Sequence, residues 1–102
     1  MAHKVKIGLK NNTPSAHPDP CIICSDCSIV WVAGDGVKEF EVKFDKKDAP
    51  FSGTIYRGKP GEPAWSSACK VRPGSGTKQN FKYTLTVNGA SLDPSVEVDG
   101  GP

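Results

Sequence analysis

The chain has 102 residues, of which 13 are basic and 11 acidic, so its formal charge is only +2. This balance excludes the strong positive field by which nucleic-acid-binding and membrane-surface proteins attract their partners. No stretch approaches the roughly 18 apolar residues of a membrane-spanning helix.

The length predicts a single domain over residues 1–102. The 11 glycines and 9 prolines indicate many turns, which is typical of an all-β sandwich or barrel. The first residues lack the apolar core of a signal peptide, so a cytoplasmic protein is expected if the chain is full length.

Alternation and prolines decide the predicted elements in the first third of the chain. Residues 3–10 alternate apolar side chains with lysines, which predicts a half-buried strand. Residues 11–20 contain three prolines, which cannot donate to a β-ladder, so a loop is expected there. Residues 21–24 and 28–33 are predicted to form two short strands of a hairpin around Ser25-Asp26. Ile29 and Trp31 are expected to point inward.

The remaining chain is predicted to add further strands with the same two-residue period. These runs occupy residues 38–45, 53–57, 65–72 and 81–87, with a short closing run around Val96 and Val98. The run 81–87, FKYTLTV, is the most regular, and Asn88-Gly89 directly after it suits the positive φ angles of a tight hairpin turn. No segment carries a helical pattern, so an all-β chain is predicted.

Three segments, DPCIICSDCSIVW, FEVKFD and FKYTLTV, resemble strand regions of the cupredoxin-like β-sandwich family. The segments APFSG, VRPGSGTKQNFKYTLTV and LDPSVEV are in addition similar to those of small bacterial cupredoxin-like proteins of unknown role. The resemblance covers nearly all of residues 4–99. It implies a Greek-key, two-sheet, cupredoxin-like sandwich of about seven or eight strands.

Copper-binding members of that family hold type 1 copper with two histidines, one cysteine and often a methionine. The positions similar to the first histidine and the cysteine are Phe40 and Leu85 here, and Asn88 lies where the second histidine is expected. Met1 is the only methionine. The resemblance therefore implies a cupredoxin-like module without type 1 copper.

Four cysteines, Cys21, Cys24, Cys27 and Cys69, allow three pairings if all are bridged. Across the predicted turn, Cys24 and Cys27 would oppose each other at about 4.5–5.5 Å between Cα atoms, within the range of about 4.4–6.8 Å for a disulfide. Cys21 is expected on the opposite face of its strand, where it would face the core together with Cys69. These two cysteines either form a bridge or pack as small apolar groups.

The same cysteines are also a candidate metal site. Four thiolates are enough for zinc or an iron–sulfur cluster, although a cluster needs three local sulfurs to converge, which a hairpin with alternating faces prevents. Two or three thiolates binding Cu(I) or zinc fit the spacing more easily. His17, four residues before Cys21 in a predicted loop, is a candidate further ligand, whereas His3 carries no functional signal. The cofactor to be expected is thus a thiolate-bound metal ion, if any.

No catalytic set is recognisable, because the two histidines lie near the amino terminus without a patterned nucleophile. The sequence therefore predicts a non-catalytic binding or structural module. Its loops 34–37 and 46–64 are expected at one end of the sandwich, where they could contact a protein partner. The alternative is a cysteine-based metal-binding or thiol-redox protein. Neither nucleic acid nor a membrane is expected as a partner.

Overall fold

All regular structure in the protein is β, as a computed structural model describing residues 2–102 shows. The strands are β1 (Ala2–Lys10), β2 (Thr13–His17), β3 (Cys21–Cys24), β4 (Ser28–Ala33), β5 (Phe40–Phe44), β6 (Ile55–Gly58), β7 (Ala64–Trp65), β8 (Lys78–Val87), β9 (Ala90–Leu92) and β10 (Ser95–Asp99). The described residues include no helix with the length and hydropathy needed to cross a membrane. The all-β prediction is confirmed, but seven or eight strands were too few, because β2 and β9 were not expected.

The strands form two mixed sheets. The first has the order β2-β1-β4-β7, and the second the order β3-β10-β8-β5-β6 with β9 paired to β8. Each sheet contains one parallel pair, β1 with β4 in the first and β3 with β10 in the second. The chain changes sheet after β2, β3, β4, β6 and β7, so strands that follow one another often face each other across the interior.

One apolar core lies between the two sheets, and Trp31 is at its aromatic centre. The rings of Phe44, Phe51, Tyr56 and Tyr83 surround Trp31 with centroid distances of 5.3 to 6.4 Å. The indole Nε1 of Trp31 donates to the Tyr83 hydroxyl at 3.4 Å, so the polar edge of the buried indole is satisfied. The inward orientation predicted for Ile29 and Trp31 is confirmed.

The predicted turn at Asn88-Gly89 joins β8 to β9. Both residues have positive φ, 48° and 90°, as a tight antiparallel hairpin requires. The Asn88 carboxamide extends the turn's role, because its Oδ1 accepts from the backbone N–H of Lys38 and Glu39 and its Nδ2 donates to the Gly36 carbonyl. The turn therefore also fixes the chain that leads into β5.

The loop predicted over residues 11–20 was wrong over Thr13–His17, which forms β2. This strand pairs antiparallel with β1, and Pro14 lies opposite Leu9. Proline is tolerated here because β2 is an edge strand, whose second side needs no ladder hydrogen bonds. The peptide bonds before Pro18 and Pro20 are cis and lead the chain from the first sheet to the second.

The strand predicted over residues 65–72 was too long, because β7 ends at Trp65. Residues 66–72 still run beside the start of β4 without forming a regular ladder. Ser66 N donates to the Ile29 carbonyl, but the Ser66 hydroxyl, not a backbone carbonyl, accepts from Ile29 N at 2.8 Å. A serine side chain that takes a ladder position in this way ends regular pairing. Cys69 is buried and Val71 half-buried.

Candidate thiol site

Cys24 and Cys27 lie at a turn that crosses between the sheets. The hairpin predicted for β3 and β4 was wrong, because β3 pairs with β10 and β4 pairs with β1 and β7. The crossing is favoured physically because the apolar faces of both strands can then be buried against each other in one core. The turn is closed by Cys27 N, which donates to the Cys24 carbonyl at 3.2 Å, and Asp26 takes a positive φ of 67°.

The sulfur atoms of Cys24 and Cys27 lie at disulfide-bond distance, and their Cα atoms are 5.4 Å apart. Cys24 is exposed, whereas Cys27 is 2% exposed. A bond between them joins the end of a strand in one sheet to the residue before a strand in the other. One residue of the pair is thus exposed to solvent, while the other is part of the core.

Residues 66–72 hold the turn from one side. Cys69 N donates to the Cys27 carbonyl at 2.7 Å, and the Cys69 carbonyl accepts from Asp26 N at 2.9 Å. The Ser25 hydroxyl donates to the Val71 carbonyl at 2.7 Å. The Arg72 guanidinium reaches both carboxylate oxygens of Asp26 at 2.8 and 3.0 Å on the exposed side. The turn is therefore fixed mainly by backbone groups, since an exposed ion pair adds at most about 1 kcal/mol.

The other two cysteines are free thiols and both are buried. Cys21 starts β3 opposite Val96, and burial raises its pKa from 9.0 to about 11. Burial also raises the pKa of the Cys69 thiol, partly offset by its contact with the Val71 carbonyl at 3.8 Å. Both thiols therefore stay protonated near neutral pH, which makes them poor nucleophiles and poor metal ligands.

His3 is the residue that sequence reasoning missed. One ring nitrogen of His3 and the sulfurs of Cys24 and Cys27 all lie within 4.8 Å of one another. The parallel register of β1 and β4, with Ala2 opposite Ser28, places His3 beside the turn. The imidazole is half-buried, and its Nε2 is buried without a hydrogen-bond partner among residues 2–102.

The candidate ligands predicted from the sequence therefore do not all lie at one site. Of Cys21, Cys24, Cys27, Cys69 and His17, only Cys24 and Cys27 meet in a group of three potential ligand atoms within the described chain. His17 is exposed at the end of β2, opposite Lys6. The signal for His3 was present in the sequence, because His3 shares the odd-numbered face of Val5 and Ile7, both fully buried.

The predicted partner loops do not lie together as expected. Because β5 and β6 form an antiparallel hairpin, residues 46–54 and 34–37 lie at opposite ends of β5. Residues 46–54 lie beside the segment 66–72, where Lys70 N donates to the Pro50 carbonyl at 2.9 Å. The turn after β6 lies at the other end of β5, where Gly58 pairs with Phe40.

An open groove of about 450 Å³ lies at the end of the molecule opposite the thiol site. Its polar lining includes two ion pairs, Arg57 with Glu41 at 2.9 Å and Lys59 with Glu62 at 3.0 Å. The lining carries three carboxylates, including Glu39, and two cationic side chains, so the groove has charges of both signs.

Of the three positions that the sequence resemblance compares with copper ligands, Phe40 and Leu85 carry no ligand atom. Phe40 and Leu85 are buried in the core between β5 and β8, and Asn88 is engaged with the backbone of residues 36–39. Known protein families provide no model that matches the chain, and a search of curated proteins finds no significant similarity. The chemistry available to the protein therefore has to be judged from its own side chains.

Proposed function

We propose that the protein is a non-catalytic, cupredoxin-like module whose functional part is the Cys24–Cys27 pair, which alternates between a dithiol and a disulfide. The observation that carries this proposal is the bonding distance between the sulfurs of one exposed and one buried cysteine at a turn between two sheets. The two remaining thiols are buried and protonated, so they do not compete for the same chemistry.

The exchange begins at Cys24, because Cys24 is the exposed residue of the pair. The thiolate of an external dithiol attacks the Cys24 sulfur, and the Cys27 sulfur leaves as a thiolate and takes up a proton. The second thiol of the reductant then attacks the mixed disulfide and releases Cys24 as a thiol. In total, the external dithiol loses two electrons and two protons, and the protein disulfide becomes a dithiol.

The cupredoxin-like, Greek-key affiliation is part of the same proposal. Repeated crossing between two mixed sheets and one parallel pair in each sheet support it. A module of this kind without type 1 copper is expected, because Phe40 and Leu85 present only hydrocarbon side chains. Titration with Cu(II) should therefore give no intense blue thiolate-to-copper absorption, and the appearance of that band would contradict the proposal.

Intact mass measured after thiol trapping tests the exchange. Folded protein exposed to a mild disulfide oxidant should lose two hydrogens, and a dithiol reductant should restore them. Peptide mapping should assign the bond to Cys24 and Cys27. The Cys24→Ser variant should show no such loss, whereas Cys21→Ser is the matched control and should behave like the wild type. A bond that involves Cys21 or Cys69 in the folded protein would refute the assignment.

A protein partner is the second part of the proposal. The groove beside Asn88 could receive a polar segment of a partner, because its ion pairs leave donors and acceptors of both signs at the surface. Charge reversal of Arg57 to Glu should then weaken any complex recovered with the purified partner. Complexes that are insensitive to changes at Arg57 and Lys59 would place the interface elsewhere.

A further inference from the structure

The geometry points to a metal site made by His3, Cys24 and Cys27, which is open to a thiophilic d10 cation, Zn²⁺ or Cu⁺, only when the two cysteines are reduced. This inference rests on the proposed function, because the same two sulfurs form the disulfide. It adds a ligand class and a third residue that the redox chemistry does not require.

The donor set fits these ions. Two thiolates and one imidazole are the soft and borderline ligands that select Zn²⁺ and Cu⁺ over hard cations. The two cysteines have the C-x-x-C spacing that is common among zinc ligands. Cu⁺ would be satisfied by three ligands, whereas Zn²⁺ would take a fourth from solvent on the exposed side of Cys24.

The distances fit as well. Zn–S bonds of about 2.3 Å and Zn–N bonds of about 2.0 Å place tetrahedral ligand atoms roughly 3.5–3.8 Å apart. The three potential ligand atoms already lie within 4.8 Å of one another. Reduced sulfurs can move apart by side-chain rotation alone, so the backbone at the turn can stay in place. The turn itself is held by residues 66–72 through hydrogen bonds that involve no sulfur atom.

The unpaired Nε2 of His3 is an independent observation in favour of a ligand. A buried ring nitrogen without a partner among residues 2–102 is costly, because it has lost its hydration without a hydrogen bond in return. Coordination of a cation through Nε2 itself would relieve this. No comparable need exists at His17, which is exposed.

Metal and disulfide exclude each other at this site. Binding of the cation by the dithiol releases two protons, so affinity should fall in acid. A low-molecular-weight disulfide can then accept two electrons from the two thiolates and two protons from solvent, becoming two thiols. The protein sulfurs join and the cation leaves. Oxidation of the two cysteines would thus release the bound cation.

Titration of the reduced, anaerobic protein with Co²⁺, a coloured substitute for Zn²⁺, tests the site. One equivalent should give the thiolate-to-cobalt absorption and the strong visible bands of a four-coordinate ion, and Zn²⁺ should bleach both. His3→Gln should weaken binding by at least about tenfold, whereas His17→Gln, the matched histidine control, should leave it unchanged. A parallel Cu⁺ titration against a coloured chelator decides which ion binds more tightly.

Equal affinity of the wild type and His3→Gln would overturn the inference, and so would the absence of Co²⁺ and Cu⁺ binding by the reduced wild type. Either result leaves the disulfide exchange standing, because thiol trapping measures that without metal. If His3→Gln does not fold, NMR of the wild type decides. The ring signals of His3, and not those of His17, must shift on addition of Zn²⁺, and an unmoved His3 ring would overturn the proposal.

Discussion

The four cysteines should differ widely in their rate of alkylation once the protein has been reduced but is still folded. Cys24 is exposed and should react first with iodoacetamide at pH 8. Cys21 should react last, because burial raises its pKa from 9.0 to about 11. At pH 8, a thiol with the ordinary pKa of 9.0 is about 9% in the thiolate form, whereas Cys21 is about 0.1% thiolate. Since only the thiolate reacts, Cys21 should be alkylated roughly a hundredfold more slowly than a thiol of ordinary pKa, before its steric shielding is counted.

The pH dependence makes this prediction sharper. The alkylation rate of Cys21 should rise about tenfold per pH unit up to about pH 11, whereas that of a thiol with the ordinary pKa of 9.0 levels off near pH 9. Quantitative peptide mapping of time points gives each rate separately. All four cysteines should react alike in concentrated urea, which is the control for peptide recovery. Labelling of Cys21 as fast as Cys24 in the folded protein would refute the argument from burial.

Three further predictions concern stability. The Cys24→Ser, Cys27→Ser double variant should lose about 2 kcal/mol of unfolding free energy in urea relative to the oxidised wild type. This is the entropy that the disulfide saves by closing a four-residue loop in the unfolded chain. An unchanged urea midpoint would show that the bond does not form. Leu85→Ala should lower the free energy of unfolding by about 3 kcal/mol, because Leu85 is fully buried. The control is Ile22→Ala on β3, where Ile22 is 48% exposed, and it should change the free energy of unfolding by less than about 0.5 kcal/mol. Equal losses in the two variants would contradict the assigned core. The stability that Cys21 contributes as a neutral thiol should be complete below pH 9 and should fall by about 2–3 kcal/mol as pH rises toward 11. Cys21→Ala should remove that part of the alkaline transition, and an unaltered transition would count against burial as the cause.

Much of the fold could be predicted because it depends on local alternation. The bounds of β3 and β4 agree with the predicted strands, and the turn at Asn88-Gly89 was expected from the φ angles that Asn and Gly tolerate. The partner of each strand could not be predicted in this way. Alternation shows which face of a strand is apolar, and that face is buried whether the next strand in the chain lies in the same sheet or across the core. The hairpin of β3 and β4 failed for that reason.

The candidate site was predicted only in part for a related reason. The short distance between Cys24 and Cys27 follows from their spacing around a turn, whichever sheets the flanking strands join. The short distance from His3 to these two cysteines depends instead on the parallel pairing of β1 with β4, which joins residues far apart in the chain. The prolines around His17 suggested a pliable loop there, but Pro14 is accommodated at a sheet edge and His17 is held in β2.

Ala2 is paired with Ser28, and Asp99 with Cys24, so both ends of the described chain flank the same two cysteines. A polyhistidine purification tag fused at either end would bring foreign imidazoles within reach of His3 and would distort any affinity measured there. Tag-free protein is therefore needed for metal measurements.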